Sequence, residues 1–370
     1  MSFHLYNRPT LRAMKLLALA RGFLRLRNRR RRAAWAHRVA FYDRVWREAA
    51  DELGASFRTL GRGFHEISLD GRRTLVNDNA SAIDDPVTLD LLSDKPLTYQ
   101  QLLAESLPVP PHLVFGLKNI DAAIEFLRGG GSCVVKPSRG TGGGRGITTG
   151  IRTKGQLARA AANAAAYCDD VVIERQIQGG NYRLLYLDGE LIDAFVREPP
   201  SVTGDGRSSV KSLIRRANAE RLREGAGISQ VLLTIDLDLK RTLAEQGLSM
   251  RSVPAMGQKV ILKNVVNENC GADNATVTHK LCPSVVRDGA RAVKATGIRL
   301  GGVDIITTDL TKSLSETGGV ILEVNAPPNF YYHYHKRDGA FPVALHVLRR
   351  ILVEAEAGVE ECASQEAGVA

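Results

Sequence analysis

The stretch VVKPSRGTGGGRGITTGI, residues 134–151, places five glycines in the seven positions from Gly140 to Gly146, directly after an apolar run ending on Lys136. Glycine removes the side chains that hold a ligand away from the backbone. Bare N–H groups can then wrap phosphate oxygens, with Lys136, Arg139 and Arg145 adding positive charge. A P-loop needs Gly-Lys-Ser/Thr at the opening of a helix, whereas here the lysine precedes the glycines and ITTGI after them reads as a strand. A dinucleotide-binding turn also runs into a helix. The pattern fits a glycine-rich hairpin between two strands. Taken alone, it leaves two readings open: a flap over nucleotide phosphates, or a turn that binds nothing.

Around the hairpin, HLVFGL (112–117), a helix near 120–128, SCVVKPS (132–138), GITTGI (146–151), a helix near 154–167 and DVVIERQI (170–177) alternate as a compact α+β lobe. A second α+β lobe runs from YRLLYLDGELIDAFVRE (182–198) through helices near 208–224 and 238–247 to strands at KVILKN, GVDIITTDL and VILEVNA, closing with a helix near 341–356. Upstream, FYDRVWREAADELGASF (41–57) reads as a helix and HEISLDGRRTLVN (65–77) as two strands around an Asp-Gly turn. Helices then follow up to the prolines 108, 110 and 111, which mark a boundary. In GVDIITTDL and VILEVNA, Asp304, Glu323 and Asn325 can share one face, the last two by the period-two rule. Two carboxylates and an amide oxygen suit magnesium. The alternative, solvated strand-end carboxylates, fits poorly because both acids sit inside apolar runs, where an unpaired charge is costly.

The chain has 370 residues, 44% hydrophobic, with no apolar run near the roughly 18 residues that span a bilayer, and it reads as a globular, unprocessed protein of two or three domains. Five cysteines (Cys133, Cys168, Cys270, Cys282, Cys362) form an odd set without metal-ligand spacing, which points to reduced thiols in the cytoplasm. The net charge of +10 is localised: residues 1–50 hold thirteen Arg or Lys against Asp43 and Glu48. There Ala13, Leu16, Leu17, Ala20 and Leu24 recur at helical spacing, with Arg21, Arg25, Arg29 and Arg32 on another face. Such a basic arm either docks on the body through its leucines or meets an acidic partner, whether anionic membrane, polyanion or another subunit. No aromatic stacking platform or DNA-binding motif accompanies the arginines, which argues against nucleic acid.

In chain order, CVVKPSRGTGGGRGI, VVIERQIQGGNYRLLYLDGELIDAFVRE, VTGDGRSSVKSLI, NENCGADNATVT, GVDIITTD and ILEVNAPP together resemble the ATP-grasp superfamily. The chain is most similar to cyanophycin-synthetase-like carboxylate–amine ligases, and less so to D-alanine:D-alanine ligases and glutathione synthetases. The resemblance spans about Asp94 to His335. It implies an α+β ATP-grasp fold, with two lobes sandwiching ATP after an N-terminal α/β domain that carries the basic helical arm. The boundaries are 1–50 for the arm, 51–110 for the N-terminal domain, 111–180 for the small lobe with its flap, 181–357 for the metal-binding lobe and 358–370 for a tail.

Carried onto matching positions, the resemblance implies that Lys136 reaches the ATP phosphates and the adenine side, and that the flap Arg139, Gly140, Thr141, Gly142, Gly143, Gly144 through Gly146 closes over the phosphates. It implies Glu174 at the adenine amino group, and the backbones of Arg175 and Ile177 at the adenine edge. Asn181 stands where relatives often carry an acid for the ribose hydroxyls. Arg197, with Lys263, Asn267 and Arg183, becomes a catalytic candidate at the transferred phosphoryl group, although Arg183 and Lys263 equally suit salt bridges within the sheet. Relatives commonly have a second lysine near Tyr99, for which Lys95 is the available substitute. Asp304, Glu323 and Asn325 match the magnesium triad. His333 and His335 suit either acceptor orientation or packing in an aromatic cluster.

The implied reaction is ATP-dependent joining of a carboxylate to an amine through an acyl phosphate, with ADP and phosphate released. The donor and acceptor are small molecules or peptides, and the implied oligomer is a homodimer or homotetramer. The length leaves no room for the extra Mur-ligase-like module of cyanophycin synthetases, which points to a stand-alone peptide ligase of specialised or envelope-related metabolism. An ATP-grasp phosphotransferase and a nucleotide-binding module tethered by the basic arm are the alternatives.

Overall fold

A computed structural model describes residues 10–17, 19, 29–223, 232–268 and 273–354. Helix α1 (Arg29–Glu52) buries Phe41, Tyr42, Val45, Trp46 and Ala49, a helical stripe. An antiparallel meander follows: β1 (Ser56–Gly61), β2 (Phe64–Leu69), β3 (Arg72–Asn77) and β4 (Ala80–Ser81). The β2–β3 turn is Asp70-Gly71 with φ of 48° and 81°, the left-handed pair that a two-residue hairpin requires. Strand β1 begins at Ser56, so the helix expected over 41–57 ends sooner. Helices α2 (Pro86–Leu92) and α3 (Lys95–Ala104) start on Asp85 and Asp94, whose carboxylates accept first-turn N–H groups.

The small sheet comprises β5 (His112–Phe115), β6 (Cys133–Pro137), β7 (Thr148–Ile151) and β8 (Val171–Arg175) in the order β5-β8-β6-β7, all antiparallel. Helices α4 (Ile120–Arg128) and α5 (Lys154–Ala164) cover one face of it, packing Ile124 and Leu157 against Cys133, Val135, Val171 and Ile173. By the period of two, the intervening Val134, Lys136 and Glu174 project from the other face.

Next come β9 (Gly180–Leu187), β10 (Glu190–Arg197), β11 (Ser201–Thr203), α6 (Val210–Arg223), α7 (Leu237–Glu245), β12 (Lys259–Ile261), β13 (Ala275–Thr276) and α8 (Pro283–Thr296). The chain continues through β14 (Leu300–Thr307), α9 (Leu314–Thr317), β15 (Val320–Asn325), α10 (Tyr331–Tyr334) and α11 (Val343–Leu352). The large sheet runs β13-β10-β9-β14-β15, again antiparallel. One face packs Leu184, Tyr186, Val303, Ile305 and Val324 on α8 and on Tyr99 and Leu102 of α3. The opposite face is divided. Leu185, Leu187, Phe195 and Leu300 pack under α1 and α11, while farther along the same strands Arg183, Arg197, Asp304, Glu323 and Asn325 replace the apolar residues and face cavities.

Residues 51–110 have no apolar cluster of their own among the described residues. Ile67 and Val76 of the meander join the cluster of α1 and α11, and Leu92, Tyr99 and Leu102 join that of α8. The arm also docks differently from its leucine pattern. Leu16 and Leu17 are exposed, and Leu11 reaches the small-lobe core instead. Ala20, Leu24, Arg21 and Arg25, and the side chains of Arg29 and Arg32, lie outside the described residues.

Candidate active site

The polar faces of the two sheets enclose a cavity of about 330 Å³. It adjoins a second of about 610 Å³ beneath the glycine hairpin. Lys95, Ile147, Arg197 and Glu323 line both.

In the first cavity Lys136 and Glu174 form a buried ion pair, Nζ to Oε2 2.7 Å. The two residues project from the same face of adjacent strands, in the register Val134 opposite Glu174. The Tyr99 hydroxyl sits against the pair, 3.0 Å from Glu174 Oε2 and 2.9 Å from the Leu322 carbonyl, and it accepts from Lys136 Nζ at 2.8 Å. Burial, then the Glu174 charge, drives the Tyr99 phenol well above its ordinary pKa, so it remains a neutral donor. At the end of β8 the N–H of Arg175 is taken by the Pro111 carbonyl (2.9 Å) and that of Gln176 by Ser132 (2.9 Å). The Arg175 side chain turns away to the Phe126 carbonyl. The N–H of Ile177 donates to no other described backbone group, and Arg175 and Ile177 both line the cavity. Asn181 lines the same cavity, and its buried Oδ1 accepts no hydrogen bond among the described residues, an acceptor suited to a ligand hydroxyl.

Gly140, Thr141, Gly142, Gly143 and Gly144 line the second cavity. Gly143 and Gly144 have φ of 66° and 73°, so the hairpin tip needs residues without Cβ. The N–H groups of Thr141 through Gly144 donate to no other described residue. Arg139 is exposed and forms a β-bridge with Asp94, which ties the hairpin base to the start of α3. It lines neither cavity.

Asp304 pairs in register with Glu323 on one side and Arg183 on the other. Its Oδ2 accepts from Arg183 Nη2 (3.0 Å), Arg197 Nη1 (3.0 Å) and Asn325 Nδ2 (3.3 Å), and Oδ1 accepts from Arg183 Nε. Burial alone would raise this carboxyl, but Arg183 and Arg197 outweigh it and hold Asp304 below the usual carboxylate range. Burial, and then Arg183, lower the Arg197 pKa once the attraction of Asp304 is set against them. Glu323 meets Lys95 Nζ at 3.6 Å and otherwise opens to both cavities.

Among the described residues no three His, Cys, Asp or Glu side chains gather into a metal cluster. The donors that do converge are Glu323, the unused lone pair of Asp304 Oδ1, and the Oδ1 of Asn325, whose nitrogen is committed to the Gly302 carbonyl and to Asp304. This all-oxygen set fits magnesium, which takes its remaining ligands from water and phosphate.

For three residues the packing favours the structural one of the two readings left open. Lys263 lines neither cavity: its ammonium is taken up by Asp236 (2.5 Å), Glu268 (2.9 Å) and Thr234 (2.9 Å). Burial depresses its pKa, but Glu268 and Asp236 overcompensate and raise it. The histidines also line neither cavity. His333 is buried with Nδ1 2.6 Å from Asp193, which also binds Lys336, and His335 stacks on Tyr331. The side chain of Asn267 lies outside the described residues. Arg38 of α1, which lines the second cavity, is one of thirteen basic residues in the first fifty and had no distinguishing signal among them.

The fold is shared with a bifunctional glutathione synthetase from Pasteurella multocida, at TM-score 0.51 and 23% identity over 80% of this chain and 41% of that one. In sequence the chain is 35% identical over 254 residues to a cyanophycin synthetase of Nostoc sp. (strain PCC 7120), covering 68% of this chain and 28% of that protein. It is 28% identical over 292 residues to the glutathione biosynthesis bifunctional protein GshAB of Clostridium perfringens, covering 77% and 37%. No protein-family model matches. Together with that fold, the 35% identity over 68% of this chain defines an ATP-grasp protein. The chain belongs to the ATP-grasp carboxylate–amine ligase family, and it spans well under half the length of these two relatives.

Proposed function

We propose that the chain is an ATP-dependent ligase that joins a carboxylate to an amine through an acyl phosphate. The observation carrying this reading is the meeting of the two cavities at Lys95, Arg197 and Glu323, with the unspent N–H groups of the hairpin above and the oxygen donors of β14 and β15 below. Adenine fits between Glu174, the Arg175 carbonyl and the Ile177 N–H, with the ribose at Asn181 and the phosphates reaching toward Lys136, Lys95 and residues 140–144. A magnesium ion held by Asp304, Glu323 and Asn325 would offset the repulsion between donor carboxylate and γ-phosphate.

Arg197 and Lys95 supply further positive charge where the two anions meet. Attack of the carboxylate on the γ-phosphorus breaks the bond to the β-phosphate oxygen and releases ADP. The amine then attacks the acyl carbon, the bond to phosphate breaks, and the amine's proton leaves on the released phosphate. Arg183 and Arg197, oriented by Asp304, are the donors nearest the oxyanion. Closure of the hairpin excludes water that would hydrolyse the intermediate. Lys263 takes no part in this scheme.

Among the described residues no helix is long and apolar enough to cross a membrane. Cys133, Cys168 and Cys282 are free thiols, which supports a cytoplasmic setting. A peptide-bond-forming role on small-molecule or peptide substrates, and a homodimer or homotetramer, remain part of this proposal.

The test is ADP release across a matrix of carboxylates and amines, with products weighed by mass spectrometry. Release requiring both partners and yielding a new amide is the expected result, with loss of turnover in Glu323→Ala. Turnover that persists in that variant overturns the metal assignment, and ADP release without an amide points to phosphoryl transfer.

A further inference from the structure

The second cavity is lined by Arg38, Lys95, Arg145, Arg183 and Arg197 against the single carboxylate of Glu323. Four of the five cations have a place in the reaction above or ride on the hairpin. Arg38 does not. It stands across the cavity on α1, and its guanidinium is held on three sides: Nε donates to Asp78, Nη2 donates to Asn79 Oδ1 at 3.0 Å, and the Tyr42 ring lies 5.0 Å from Cζ. These supports are anchored in turn. Trp46 Nε1 donates to the Asp78 carbonyl at 2.7 Å, and Asn79 Nδ2 donates to the carbonyls of Pro327 (2.8 Å) and Pro328 (3.1 Å), just beyond the metal strand. The remaining nitrogen, Nη1, donates to no described residue.

An arginine fixed in plane by two acceptors and a ring, with one N–H edge left over in a cavity, is preorganised to bind a planar oxyanion. We propose that Arg38 forms a carboxylate subsite, so that the substrate seated in the second cavity carries a spectator carboxylate besides its reacting group. This deepens the ligase reading and rests on it for the identity of the reacting group. The spectator belongs either to a dicarboxylic donor or to an acceptor amino acid with a free carboxyl.

Two probe pairs separate these sources: succinate against succinamate for the donor, and glycine against glycinamide for the acceptor. Each is titrated calorimetrically into the full chain with ADP and magnesium present. In at least one pair the acid should bind about tenfold or more tighter than the amide, the scale of one charge-assisted hydrogen bond. R38Q should abolish that preference by weakening the acid alone. R38K keeps a cation opposite Asp78, which guards the fold, but lacks the free edge, so the preference should fall there as well. A purely structural Arg38 would lower the melting temperature and leave the ratio intact. No preference in the native chain, or a preference unchanged in both folded variants, overturns the subsite. The readout needs no turnover, so a failure of the ligase reading shows separately, in the ADP assay with Glu323→Ala.

Discussion

Replacing Glu174 with glutamine removes a negative charge where the structure leaves Lys136 no other carboxylate. Both side chains are at most 4% exposed, and they meet at 2.7 Å. Breaking a buried ion pair from one side costs about 3–5 kcal/mol, because the surviving charge stays desolvated. Two features place this case at the lower end. The glutamine oxygen can still accept from Lys136, and the Tyr99 hydroxyl already does so at 2.8 Å. The expected loss is therefore about 3 kcal/mol, a factor of about 100–200 in the unfolding equilibrium. Urea denaturation followed by circular dichroism, without nucleotide, measures it. The partner variant Lys136→Met costs a similar amount by the same argument, yet Lys136→Met/Glu174→Gln leaves no buried charge and should recover at least about 2 kcal/mol relative to additivity. A single-variant loss below about 1 kcal/mol, or strict additivity, would show that water reaches the pair and that this wall of the first cavity is not the dry surface its burial implies.

The hairpin should respond to alanine by position. Gly143→Ala meets no atom within 4 Å and costs about 1 kcal/mol for its left-handed backbone, whereas a Cβ at Gly146 lies 2.7 Å from Pro137 Cγ and 2.9 Å from Tyr167 Cδ2, so Gly146→Ala should melt distinctly lower. Burial raises the Asp193 carboxyl but His333 and Lys336 outweigh it, leaving it below its ordinary 3.8. The folded state therefore binds fewer protons there than the unfolded state, and the stability Asp193 supplies is complete above 3.8 and lost as pH falls through the lower folded value. The stability gap between the native chain and Asp193→Asn should accordingly hold above about pH 5 and narrow as pH falls below about 4, and a gap that stays constant down to about pH 3 refutes this. Lys263→Met leaves Asp236 and Glu268 without their shared cation and should lower stability by about 3 kcal/mol or more while sparing turnover per folded molecule. An active-site titration showing a large fall in that turnover would return Lys263 to the chemistry.

Whatever depended on neighbours along the chain was readable in the sequence. Period two places Lys136 with Val134 and Glu323 with Asn325, the Asp70-Gly71 pair dictates its hairpin, and the glycines of 140–146 announce a loop that only bare backbone can form. The order of motifs carried the fold for the same reason, since each is a local solution to strand, turn or cap. What faces what across the sheets was not readable. Arg183 and Asp304 lie 121 residues apart and meet only because β9 and β14 pair in one register. Lys263 suited substrate contact and a salt bridge alike until α7 and the turn at Glu268 brought carboxylates to it. Tyr99 reaches the Lys136–Glu174 pair, and Arg38 the second cavity, from helices whose sequences carry no mark of it, and His333 is withdrawn by Asp193 on a neighbouring strand. Side-chain periodicity is a property of the local backbone, whereas the charge that answers a given charge is chosen by register and packing between distant segments, and only the tertiary structure supplies those.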